Sequence, residues 1–254
     1  MGIDTRFFGP SAWQLFHLIA FFSPNPQDTL LDIKDMLPCK FCRASTTEYT
    51  ATMPISSCDD PGRWLYDLHN KVNAKLRSQS KKDPTILAPP PDPTFEEVKA
   101  RYEQIKPTAV PGRDFLMSVA VNYGDTTPIE CDVQAVHKTF WIRMTQVYPF
   151  EELREIVAKY VKAHAVESAL KDRASYSKWV YGLLKRLSSK VKAPIASYHG
   201  YMQHVMFYKS WCAKKTYKGK TCRKLSGGGL TKKRDHRKTY RVTHKRLLSF
   251  KASN

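Results

Sequence analysis

Six cysteines in 254 residues are too few for a disulfide-stapled scaffold, and only Cys39 and Cys42 stand at a recognisable spacing. Cysteine is therefore used here for chemistry more than for stapling. Long hydrophobic runs are missing too. The stretch Ala12–Phe22 is too short to cross a bilayer, is broken by Gln14 and His17, and has no basic leader or small-residue cleavage site. That excludes a membrane protein and leads us to expect a soluble, cytoplasmic one. Alternating, strand-like runs are scarce, whereas apolar residues recur at helical spacing almost throughout, so the fold is expected to be all-α. Acidic residues are in short supply, with 23 Asp and Glu against 42 Lys and Arg and a formal net charge of +19. An apolar content of 42% nevertheless excludes a disordered chain and suffices to bury a core.

The positive charge is concentrated at one end. From Lys209 onward sixteen Lys and Arg face a single acid, Asp235, so that segment carries +15 and residues 1–208 only +4. Ser226-Gly227-Gly228-Gly229 before Lys232-Lys233-Arg234 reads as a flexible joint and a cationic arm. Two uses stand open for it: non-specific contact with nucleic acid or another polyanion, or plain solubility.

Helix signals divide the rest. A first helix is expected from Pro10 to Phe22, a second over about 27–36, and a third opening at Cys39 after Pro38 and running toward Tyr49. A fourth fits Asp60–Leu76 with Asp59 or Asp60 as cap. After a proline-rich loop, Thr94-Phe95-Glu96-Glu97 forms a capping box for a fifth helix reaching about Ile105. Residues 107–112 look like a linker, giving expected domains 1–106, 113–208 and a basic tail 209–254. Further helices are expected at about 133–148, 150–173, 176–191 and 195–211.

A Cys-x-x-Cys at a helix start has a physical use, because the helix N-terminus favours the thiolate and the spacing allows a disulfide to close. Alone it also suits a zinc site, with Cys58 and His69 completing the ligands of a nucleic-acid-binding protein. Its surroundings narrow the choice. Gly9-Pro10-Ser11-Ala12-Trp13, His17 one turn on, Cys39–Cys42, and then Trp64-Leu65-Tyr66-Asp67-Leu68-His69-Asn70-Lys71-Val72-Asn73-Ala74-Lys75-Leu76 follow in order. Over about residues 6–104 this resembles the Erv/ALR family of FAD-dependent sulfhydryl oxidases.

The resemblance implies a four-helix bundle with a short fifth helix holding FAD, and a CxxC that makes disulfides in protein dithiols and passes electrons through FAD to O2, giving H2O2. It implies Cys39 as the more exposed sulfur that exchanges with substrate and Cys42 as the flavin-side one. Gly9, Trp13 and His17 on the first helix, and His69, Asn70, Asn73 and Lys75 on the fourth, would line the cofactor. Tyr102 stands where the family has an aromatic against the adenine, and Lys81 or Lys82 where charge would face the pyrophosphate. Trp64 reads better as a core residue, and His17 on an apolar face would ordinarily be one. Asn70 and Asn73 inside a helix need a reason, since asparagine competes with helical hydrogen bonding.

Two departures stand out. Tyr66 occupies the place of one cysteine of the family's structural disulfide, residues 77–104 hold no cysteine for the other, and Pro10 replaces a basic residue. Such a chain looks most like the oxidases of large cytoplasmic DNA viruses, which implies the host cytoplasm or virion, and the family implies a homodimer. Cys58 and Cys131 read as incidental thiols, and Cys212 with Cys222 as a shuttle pair, as a zinc or structural pair, or as no pair at all. Finally, Trp179–Val191 repeats Trp64–Leu76 in the register of Trp, Tyr, Leu and Lys, with Leu184 and Ser188 at the places of His69 and Asn73. Lys162 and Ala165 would then replace the two cysteines in a degenerate second copy, unless the match is chance.

Overall fold

The computed structural model describes residues 3–83, 86–124 and 131–212, which lie in one compact unit within Met1–Lys224. The described residues are helical and include no strand, so the fold is all-α. None of these helices is long and apolar enough to cross a membrane. Residues 213–254, with the Gly-rich joint, the basic arm and Cys222, lie outside the description, as do the side chains of Cys131 and Cys212.

Helix α1 spans Thr5–Phe22, starting a turn and a half before Pro10 because Asp4 caps it. The Asp4 carboxylate accepts from the backbone N–H of Arg6 at 2.8 Å and is gripped by the Arg6 side chain. The expected second helix breaks at Asp32 into α2 (Gln27–Leu31) and α3 (Ile33–Met36). Helix α4 (Lys40–Thr52) begins after Cys39, which is its N-cap. Helix α5 (Pro61–Lys82) is capped by Asp60 and extends past Leu76, and α6 (Phe95–Glu103) carries the expected capping box in full.

Helix α7 (Arg113–Asn122) was not expected. Phe115 to Val121 are all buried, so it lacks the polar face that betrays a helix in sequence. It follows directly on residues 107–112, and both sides of that segment share one core: Phe115 packs on Phe8 and, edge-on at 5.0 Å, on Phe16. Gly112 sits at the N-cap of α7 with φ of 73° and offers no side-chain cap. Ser11 of α1 supplies it from outside, its Oγ accepting from the N–H of Asp114 and Phe115 at 3.1 and 3.3 Å. A Cβ at position 112 would fall 2.5 Å from Leu15, so this close approach requires glycine as much as the backbone angle does.

Helix α8 (Cys131–Val147) matches expectation. The next expected helix divides into α9 (Glu151–Ala163) and α10 (Val166–Ala169), and α11 (Arg173–Lys190) and α12 (Tyr198–Cys212) follow. Arg143 of α8 reaches across to the Asp32 carboxylate at 2.5 Å and to Asp28, while Ser23 donates to the Val147 carbonyl.

Candidate active site

The cysteine pair is built by a stop and a start. Pro38 follows the end of α3, and Cys39, extended at φ −116° and ψ 118°, becomes the N-cap of α4 with Sγ accepting from the Cys42 N–H at 3.4 Å. Arg43 locks the turn by donating to the Leu37 carbonyl at 2.6 Å. The Cys42 thiol, hydrogen-bonded to Cys39, pulls the Cys39 pKa down to about 7; the N–H groups of Cys42 and Phe41 and the Arg43 charge add to it against the opposing effect of burial. Neither sulfur is in a disulfide. The expected order of exposure is reversed: Cys39 is 2% exposed and Cys42 half-buried, because an N-cap side chain folds back over the first turn.

Both cysteines border a cleft enclosed by α1, α3, α4 and α5. Its walls are mainly apolar, with Phe8, Ala12, Phe16, Leu68 and Val72 among them, and Gly9 and Trp13 line it from α1. Polar side chains enter as well, Thr5, Ser45, Thr46, Lys75 and Gln79. Lys75 reaches in from α5 and donates to the Ser45 hydroxyl of α4. The Thr5 hydroxyl, on the first turn of α1, is buried without a hydrogen-bond partner. Thr5 and Ser45 were not foreseen; Ser45 follows Cys42 by three residues and so shares its helix face, but nothing in the sequence marks Thr5.

Trp13 joins the cleft to a cluster of rings. It stacks on His69 at 3.8 Å and 9°. His17 Nε2 lies 3.1 Å from His69 Nδ1, and its ring stacks on Tyr102 at 4.9 Å. Burial, and then the neighbouring His69, push the His17 pKa down to about 3, so the ring is neutral and one proton serves the His17–His69 contact. Burial raises the Tyr102 phenol. Helices α1, α5 and α6 thus bring Trp13, His17, His69 and Tyr102 together in one ring cluster.

The remaining residues singled out in the sequence lie apart from the cleft lining. Asn73 donates to Asp92 at 2.8 Å, and Arg77 pairs with the same carboxylate, which is held below the usual range by that guanidinium. Asn70 is half-buried on α5, and Lys82 is exposed in its last turn. Asp92 belongs to a strap of chain that returns along α5. Tyr66 donates to the Pro93 carbonyl at 2.9 Å and meets Phe95 edge-on at 5.6 Å, with the Arg63 guanidinium 5.4 Å over each ring. Tyr66 thus ties α5 to the start of α6 without a covalent bond. Among the described residues no three His, Cys, Asp or Glu side chains gather as a metal ion would need, so Cys39, Cys42, Cys58 and His69 do not form the alternative zinc set.

Residues 10–89 match the model of the Erv1 / Alr family. The mitochondrial FAD-linked sulfhydryl oxidase ERV1 of Saccharomyces cerevisiae is 33% identical over 85 residues, which cover 29% of this chain and 45% of that protein. The chain thus spans less than half the length of that curated relative. No solved structure matches. The likeness to the Erv1 / Alr family falls on the stretch that carries the cysteine pair, the histidine pair and most of the cleft.

Proposed function

We propose that the chain is an FAD-linked sulfhydryl oxidase that makes disulfides in protein dithiols at Cys39–Cys42, with O2 as final acceptor and H2O2 as product. The observation that carries this reading is the placement of both cysteines on one apolar cleft, at a helix N-terminus, inside the stretch that matches the family. The cleft suits the cofactor chemically. Apolar walls accept a flat ring system, Trp13 offers it an aromatic face, the buried Thr5 hydroxyl lacks a partner, and Lys75 places a cation where an anionic group would sit. Bound there, FAD supplies an acceptor of two electrons that in turn reduces O2.

The chain's own residues account for the thiol chemistry. A substrate thiolate attacks one sulfur of the oxidised pair, forming a mixed disulfide and releasing the other cysteine as a thiolate; the second substrate thiol then attacks the substrate sulfur of that mixed disulfide and displaces the first cysteine, leaving a substrate disulfide and two reduced cysteines. Two electrons and two protons have then entered the pair. We keep Cys39 as the exchanging sulfur and Cys42 as the cofactor-side one, both bordering the cleft; with Cys39 buried, exchange requires the Pro38–Phe41 turn to open. Neutral His17 keeps uncompensated charge out of the ring cluster. The host cytoplasm or virion, pairing of chains and polyanion contact by the basic tail belong to the same reading.

An absorption spectrum of the purified chain and an oxygen-electrode trace on adding a dithiol test it. A flavin band and O2 uptake lost in Cys42→Ser support the oxidase; a colourless chain without O2 uptake overturns it. Trapping the mixed disulfide on Cys39 in Cys42→Ser, and not on Cys42 in Cys39→Ser, checks the division of roles.

A further inference from the structure

The likeness between Trp64–Leu76 and Trp179–Val191 extends beyond two stretches of sequence. In each half a first helix packs along a last one, α1 with α5 and α7 with α11, and a helix pair stands beside them, α3 with α4 and α8 with α9. Helices α4 and α9 are both 13 residues long. Trp64 of α5 donates its indole N–H to the carbonyl of Met53, the residue that closes α4, at 2.7 Å. Trp179 of α11 donates to the carbonyl of His164, which closes α9, at 2.8 Å. One bond thus joins the same two elements in both halves, which a chance alignment of two amphipathic helices does not supply.

That bond also resets the register of the comparison. With Met53 against His164, the N-caps Cys39 and Phe150 coincide, and Leu153 falls at the place of Cys42; Lys162 and Ala165 do not. Burial agrees along the first turns, where Trp64, Leu65 and Leu68 correspond to Trp179, Val180 and Leu183, all buried. It diverges at the cleft. His69, Val72 and Asn73 are half-buried, whereas Leu184, Leu187 and Ser188 are fully buried. Side chains fill the second half where the first keeps an opening.

The halves meet like on like. Helix α1 packs on its counterpart α7, and α2, which with α3 makes up the broken second helix of the first half, packs on α8, the pairing that a twofold axis produces. We infer that residues 113–208 are a redox-silent copy of the first domain, folded on it as a second subunit would be and occupying its α1–α2 face. The chain is then a single-chain pair with one redox site. Phe115 between Phe8 and Phe16, Ser11 capping α7, and Arg143 on Asp32 are the seam of that pair.

Two measurements on the full chain test this. FAD released by denaturing the saturated protein is expected at one per chain, and two per chain would overturn the sealed second cleft. The absence of FAD would overturn the oxidase reading instead, and the copy would then be judged by the second measurement alone. In a crystal structure, superposing α7, α8, α9 and α11 on α1, α3, α4 and α5 should require a rotation of about 180°; a rotation far from that, or helices that do not superpose, would refute the copy.

Discussion

Cys42→Ala is expected to move the Cys39 thiolate midpoint upward from about 7. The substitution deletes the thiol that does most to stabilise the Cys39 anion, while the Cys42 and Phe41 N–H groups and Arg43 remain. A hydrogen bond to a charged acceptor contributes about 1.5–3 kcal/mol, which corresponds to roughly 1–2 pH units. Burial, no longer opposed by that bond, acts in the same direction. The sign is fixed by the depressed pKa: the anion is present above about 7 and lost as pH falls through it. At neutral pH about half of Cys39 is ionised, against ~3% of a thiol with the ordinary pKa of about 8.5, a roughly 15-fold excess of thiolate. Lower intrinsic nucleophilicity removes about fivefold of that, leaving a net rate advantage of about threefold. Ultraviolet thiolate absorbance of the reduced variant, minus that of Cys39→Ser/Cys42→Ala with the same remaining thiols, reads the midpoint without requiring a reagent to reach a buried sulfur. A midpoint still at about 7 would assign the stabilisation to the helix terminus and Arg43, not to the partner thiol.

Two further expectations concern stability. His17 and His137 have pKa values pushed down by burial, to about 3 and about 4, so below the unfolded value of ~6.5 the unfolded chain binds protons that the fold refuses. Stability is then complete above ~6.5 and falls by roughly 1.4 kcal/mol per histidine for each pH unit below it; urea unfolding at neutral and mildly acidic pH measures the loss, and a flat profile would contradict it. Ser11→Ala should cost about 1 kcal/mol in thermal unfolding through the lost cap on α7, and a melting temperature within error of the parent's would mean the cap contributes nothing.

Much of the site was legible because its signals are local. The break at Pro38, the Asp60 cap and the Thr94–Glu97 box set helix starts from neighbouring residues alone. His17, Trp13 and His69 converge because helical spacing keeps them on inward faces. What escaped depends on distant partners. Helix α7 is capped by a serine about a hundred residues earlier and is buried on all sides, so neither its start nor its periodicity is written locally. Asn73 serves Asp92 in a loop whose path no periodicity predicts, and the exposure of Cys39 against Cys42 depends on how an N-cap side chain folds back.

The strap along α5 has a consequence for how such a chain matures. Within residues 1–106 the cysteines are Cys39, Cys42 and Cys58, and the junction of α5 with α6 is made by the Tyr66 phenol, the Phe95 ring, the guanidinium groups of Arg63 and Arg77 and the Asp92 carboxylate. None of these groups gains or loses electrons. On the oxidase reading, the catalyst is not a client of the reaction it performs: the first copies made in a thiol-rich solution can assemble the bundle before any disulfide exists, and reducing conditions act on the catalytic pair and not on the frame around it.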